Sequence, residues 1–156
     1  RLQHYTEARD FLEKITQPKT LSVWVQWADI QIALDNNQLV SEKITEIIKR
    51  NTQIDDALLI RLVIAEKKLA GESQWQTQLQ ERIALREMRD DQAHAADLAL
   101  YYLAVSSDPQ KALYWAERNW LDAREPGDQQ LLMRAQQLAG TTGKMLEQNS
   151  IPTEAQ

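Results

Sequence analysis

Four glycines and four prolines punctuate 156 residues, and each falls between stretches of helical periodicity or in the tail. Glycine and proline break regular structure more strongly than any other residues. Confined to boundaries, they leave segments whose apolar residues recur three and four apart, the spacing of one helical face. Within those segments Leu, Ala, Gln, Glu, Lys and Arg dominate, all good helix formers. Valine and the aromatics are too sparse and too helically spaced for a sheet protein. The expected class is all-α, in one domain of ordinary size.

Asp108–Gly140 shows the design. Asp108 is placed to cap and Pro109 to occupy a first helical position, where its missing N–H costs nothing. Ala112, Trp115, Ala116, Trp120 and Ala123 then form one stripe. Pro126-Gly127 is expected to turn the chain and Asp128 to cap again, before a second stripe through Leu131, Leu132, Ala135, Leu138 and Ala139. The earlier chain repeats this. A helix at about 3–16 runs from Tyr5 to Ile15 and ends at Pro18; a second spans about 20–34, with two apolar rows, and turns at Asn36-Asn37. A third, about 38–50, has the single stripe Val40, Ile44, Ile47 and Ile48. A fourth starts at Asp55-Asp56, is apolar all round from Ala57 to Ala65 except for Arg61, and stops at Gly71. Ser73 and Gln76 have capping-box spacing for a fifth helix to about Arg89, and an alanine-rich sixth covers about 92–105. After Gly140 a short helix around Lys144–Gln148 and a frayed tail are expected, which divides the chain into 1–140 and 141–156.

Helices with two apolar faces start near 20, 55, 92 and 129, about 35, 37 and 37 residues apart. A period in the mid-thirties, one helix pair per unit, is the mark of a helical solenoid. The two-faced helices would be inner ones, touching their own partner and the next hairpin. No linker is evident, so the reading is a right-handed superhelix of about four hairpins acting as one cooperative unit.

The start Asp108-Pro109-x-x-Ala112-Leu113, with Ala116 a turn later and Pro126 closing the unit, resembles the tetratricopeptide repeat. More narrowly, DALLIRLVIAE (56–66), ERIALREMRDDQAHAAD (81–97) and ALYWAERNWLDAREPGDQQLLMRAQ (112–136) are similar to a largely uncharacterised group of proteobacterial tetratricopeptide proteins. The resemblance covers about 55–140 and reaches 1–54 only as helix pattern. The helix before Pro126 is about two residues longer than the usual repeat, and Leu100 stands where a small residue is usual. The resemblance implies a scaffold that binds a peptide or a partner protein, carries over no catalytic residue or cofactor, and inclines to an extracytoplasmic rather than a cytoplasmic home.

Composition narrows the partners. At a net charge of −5 the chain lacks the concentrated basic surface that phosphate contacts need, so no nucleic-acid partner is expected. No apolar run approaches the ~20 residues that span a bilayer. With no cysteine there is no disulfide, thiolate nucleophile or cysteine metal site. The start at Arg1 rather than methionine reads as trimmed, with any targeting signal upstream. Phosphate-binding glycine loops, HExxH and nucleophile elbows are all missing, so an enzyme is the remote alternative.

Most residues that attract notice have a plain structural reading. His94-x-x-Asp97 puts a histidine and a carboxylate on one face, yet His4 is the only other histidine and no third ligand is near. Arg82, Arg86 and Arg89 share a side of the fifth helix, but interleaved Glu81, Glu87, Asp90 and Asp91 cancel much of their field, so a solvated face is expected. Trp24, Trp75, Trp115 and Trp120 fall in core stripes. Trp27, on the second face of an inner helix, is the tryptophan assigned to a groove, and Asn119 is expected to be a buried hydrogen-bonding group fixing neighbouring backbone.

Each inner helix also carries one conspicuous charge, Asp29, Arg61, Asp97 and Arg134 in turn. The alternating signs predict a ladder registering adjacent hairpins, with Asp97 within about 8–10 Å, one Debye length, of a neighbouring arginine. Trp27, Arg61, Tyr101 and Arg134 are the candidate contacts for a peptide or partner on the concave inner surface, Tyr101 because Leu98, Ala99 and Tyr102 already fill the core stripe. The alternative is a structural domain that assembles with itself or with a larger complex through its apolar ends.

Overall fold

In the computed structural model the chain is described over residues 2–14 and 19–149, and among these it is helical with no strand. Helices are α1 (Leu2–Glu13), α2 (Leu21–Ala33), α3 (Asn37–Arg50), α4 (Asp56–Ala70), α5 (Gln76–Met88), α6 (Ala95–Ala104), α7 (Pro109–Asp122) and α8 (Pro126–Asn149), with a 3-10 turn at Gln92–His94 before α6. The expected roles of Ile15 and Pro18, and the tail from 150, lie outside the described residues.

The boundaries follow side-chain chemistry that is local in sequence. Asp55 Oδ1 accepts from the N–H groups of Ala57 at 2.8 Å and Leu58 at 3.3 Å, satisfying two orphan donors of α4. At the other end Gly71 adopts φ 79° and its N–H bonds to Lys67 O at 2.8 Å, the left-handed stop that glycine makes without strain. Asp108 Oδ1 caps α7 by accepting from Lys111 N–H at 3.0 Å, with Pro109 inside the first turn.

Two boundaries differ from expectation. Pro126 and Gly127 form no turn; they are the first residues of α8. Proline's fixed φ suits a first helical turn, and Asp128 sits one turn in, where its Oδ2 accepts from the Glu125 N–H at 3.0 Å. Nor does α8 end at Gly140, but runs to Asn149. A mid-helix glycine costs only about 1 kcal/mol against alanine. Thr141 Oγ1 donates back to Gln137 O at 2.9 Å, one helical turn away. The separate short helix around Lys144–Gln148 is thus part of α8, and the boundary at 140/141 is absent from the helix map.

The chain divides into two compact units, 1–84 and 85–156. The sequence shows no linker there because the division falls inside α5. In the first unit α2 packs on α1, α3 and α4, and α3 also packs on α4. Residues 58–65 of α4 are all buried, Arg61 included, as a helix with neighbours on several sides requires. Val40, Ile44 and Ile48 of α3 and Leu79 and Ile83 of α5 supply the single stripes expected of them. In the second unit α6 packs on α7 and α8, and α7 packs on α8. Here Leu98, Ala99, Ala112, Trp115, Ala116 and Ala135 are core. Each unit therefore repeats one pattern, a two-faced helix touching both its hairpin partner and the next two-faced helix. Among the described residues no helix is long and apolar enough to cross a membrane.

Candidate functional site

Two of the charges singled out on the two-faced helices, Asp29 and Arg61, meet as an ion pair. Arg61 Nε and Nη2 donate to the two carboxylate oxygens of Asp29 at 2.8 and 2.9 Å, and Nη1 donates to Ala57 O at 2.9 Å. This bidentate geometry matches the fork of a guanidinium to a carboxylate. The pair is lopsided, since the side chain of Arg61 is 9% exposed and that of Asp29 is 50% exposed. Arg61 therefore braces α4 against α2 and leaves Asp29 as the exposed half of the pair. On α6 and α8, Asp97 is half-buried and Arg134 is exposed.

Trp27 and Tyr101 correct the expected groove. They are only 6% and 4% exposed, so neither presents a surface to a partner. Trp27 turns into the first unit's core and meets Trp24 edge-on at 5.5 Å between ring centroids. Tyr101 stands edge-on to Tyr102 at 5.0 Å, and both are covered because α6 has neighbours on two sides.

The tryptophan that does face an opening is Trp24. A cavity of about 300 Å³ lies where α2 and α4 begin and α3 ends, lined by Trp24, Leu21, Ile47, Ile48 and Leu58, with Lys19, Asn51, Gln53 and Asp55 supplying polar groups. The Lys19 ammonium sits 5.0 Å from the Trp24 ring centroid, within cation–π range. A few polar groups over an aromatic and aliphatic wall, at this volume, is the common composition of a small binding pocket. Sequence reasoning placed Trp24 in the core because its stripe is apolar. The polar stretch Asn51–Gln53 is the part of the opposite rim that the sequence makes visible.

Other residues singled out are occupied structurally. His94 lies beside Asp91: its Nδ1 is 3.0 Å from Asp91 Oδ2, which accepts from Arg86 Nη1 at 2.7 Å. His4 is exposed on α1, 3.9 Å from Glu7. No group of three or more metal-ligating side chains occurs among the described residues. Arg82 and Arg86 are not a solvated face. Arg82 Nε pairs with the buried Asp56, and its Nη2 donates to Ile54 O at 2.6 Å. Arg118 Nη2 holds Asp90 and Gln92 at 3.0 Å, its Nη1 donates to Tyr114 Oη at 2.8 Å, and Gln92 Nε2 in turn reaches Asp122 at 2.7 Å. The adjacent acids Asp90 and Asp91 are thus drawn to different cations, which ties down the loop before α6. Asn119 Nδ2 donates to Asp128 Oδ1 at 2.7 Å, so it steadies the start of α8 through Asp128 rather than by touching backbone itself.

The contact with His94, reinforced by Arg86 against an opposing effect of burial, holds the Asp91 carboxyl below its usual range. A depressed acid contributes stability above the unfolded carboxylate pKa of about 3.9 and loses it as pH falls through the lower folded value. Asp91→Asn should therefore be less thermostable than wild type at neutral pH, and the gap should narrow as pH falls below about 4. Paired melting curves across that range check it; a gap that widens with acid would contradict it.

Comparison with protein-family models, with curated proteins and with solved structures returned no match for this chain.

Proposed function

We propose that the protein is a non-enzymatic tetratricopeptide-like scaffold whose inner helices, α2, α4, α6 and α8, form a concave surface that binds a peptide or a partner protein. The observation that carries this reading is the packing order within each unit, α2 on both α3 and α4, and α6 on both α7 and α8. That is the neighbour relation by which helix pairs stack into a superhelix and present a long preformed surface, which keeps the ordering cost of binding low. Asp29, steadied by the buried Arg61, and the exposed Arg134 are the charged contacts, and Asp97 continues the alternation on α6. Trp27 and Tyr101 act from behind as core, and the Trp24 cavity offers a seat for an apolar side chain.

Arg61→Glu is a poor probe, because it would set a second carboxylate against Asp29 in a buried position. Arg134→Glu is better, since its side chain is exposed. Affinity capture from native extract should lose the partners that wild type recovers, while circular dichroism and melting temperature stay unchanged. Recovery of the same partners in the same amounts would sink the inner-surface reading.

A self-assembling structural domain is the second reading. It is favoured by Leu121 and Met133 in the second unit, which are 66% and 60% exposed. Light scattering coupled to size exclusion separates the two, and a strict monomer at high concentration counts against assembly.

A further inference from the structure

We propose that a second surface, the open groove between α1, the α2–α3 turn and the end of α4, docks a basic peptide segment with interspersed aliphatic residues, contributed by a partner protein. This goes beyond the inner-surface reading and stands or falls separately from it. The groove encloses about 500 Å³ and lies wholly within the first unit.

Three independent features select the occupant. The first is charge. Glu13, Asp35 and Glu42 line the groove against a single guanidinium, Arg9, which is already committed to Asp10 at 2.7 Å and stands 4.0 Å from Glu13. Asp35 accepts from Asn37 Nδ2 at 2.7 Å, and Glu42 from Gln38 Nε2 at 2.8 Å. Neutral amides orient these carboxylates and leave their charge standing, so the complementary ligand is cationic.

The second is a buried amide with an unused donor. Gln31 has no exposed surface, and its Oε1 accepts from Asn36 Nδ2 at 2.7 Å. Gln31 lines the groove, and its buried Nε2 has no hydrogen-bond partner among the described residues. An unsatisfied buried donor is costly, and a ligand carbonyl entering the groove would relieve that cost. A peptide backbone supplies such an acceptor at every residue.

The third is apolar. Leu39 and Leu69 flank the groove while 44% and 48% exposed, which suits aliphatic side chains between the basic ones. A second copy of the chain fits poorly, because its net charge of −5 would set acid against acid. A bare metal ion fits poorly too, as no three ligating side chains converge here among the described residues.

The test uses the whole protein and a fluorescein-labelled peptide of about twelve residues in which lysine pairs alternate with leucine, with a glutamate-for-lysine peptide as counterpart. The lysine peptide should raise anisotropy saturably and bind more weakly as salt is added, and the glutamate peptide should not bind. Glu13→Lys with Glu42→Lys, both on exposed positions, should weaken binding about tenfold or more. Gln31→Leu should weaken it roughly fivefold while melting temperature holds or rises, since the orphaned donor goes with it. Arg134→Glu should leave it unchanged. Equal binding of the two peptides, full affinity in the charge-reversed variant, loss of affinity only in Arg134→Glu, or self-association in place of peptide binding would each overturn the proposal. The Arg134→Glu outcome would at the same time favour the inner surface, so the two readings fail distinguishably.

Discussion

Trp115→Ala is expected to lower the unfolding free energy by about 3–5 kcal/mol, the usual cost of emptying a buried tryptophan site. Trp115 is 3% exposed and meets Tyr114 edge-on at 5.1 Å between centroids. Its neighbours cannot easily collapse into the vacancy, because Ala112 and Ala116 are already buried and as small as a side chain can be. Trp24→Ala is the control. That indole is half-buried at a cavity, so its loss removes less surface from the core and should cost about 1–2 kcal/mol. Urea unfolding of both variants, with the slope checked for constancy, reads the difference. Equal losses would mean that Trp24 is core after all and that the cavity is filled in solution.

The second large effect is expected at Arg82→Ala. Asp56 is 4% exposed and pairs with Arg82 across from α5. Truncating the arginine leaves a buried carboxylate without its guanidinium, a change that costs about 3–5 kcal/mol in closed interiors. Here the expected loss is nearer 2–4 kcal/mol, because 35% of the Arg82 side chain is exposed and water can partly replace it. Asp56 also starts α4, where the helix N-terminus favours negative charge. Replacing both partners together, Asp56→Asn with Arg82→Met, should recover most of the loss, since the buried charge goes with its guanidinium. A single-variant loss below about 0.5 kcal/mol would restore the solvated reading of that arginine row.

Those two sites mark how far local pattern reaches. Helices α1 to α7 lie close to where periodicity and capping residues put them, whereas α8 begins earlier and runs past Gly140; Asp55, Gly71 and Asp108 act at the positions their chemistry suggests. Arg61 and Asp29, picked out as isolated charges in apolar surroundings, meet as an ion pair, because such a charge is retained only when another element neutralises it. By contrast, Arg82, Arg86 and Arg89 look alike in the sequence, and it is the position of α4 that gives Arg82 the buried Asp56 as its partner. Ser73 is similar. Its hydroxyl accepts from Trp75 N–H at 3.2 Å, as a turn residue should, but it also donates to Glu66, whose other oxygen takes Ser41 at 3.4 Å. Nothing in the spacing of Ser41, Glu66 and Ser73 announces that link.

Helix content and most helix limits come from interactions within about four residues, so they are legible in the chain itself. Which of Trp24 and Trp27 faces an opening is decided by where α3 ends and α4 begins. Whether Gln31 keeps a donor unpaired, and whether Glu13, Asp35 and Glu42 share a groove, depend likewise on contacts between residues far apart in the chain. The candidate surfaces belong to this second kind of fact.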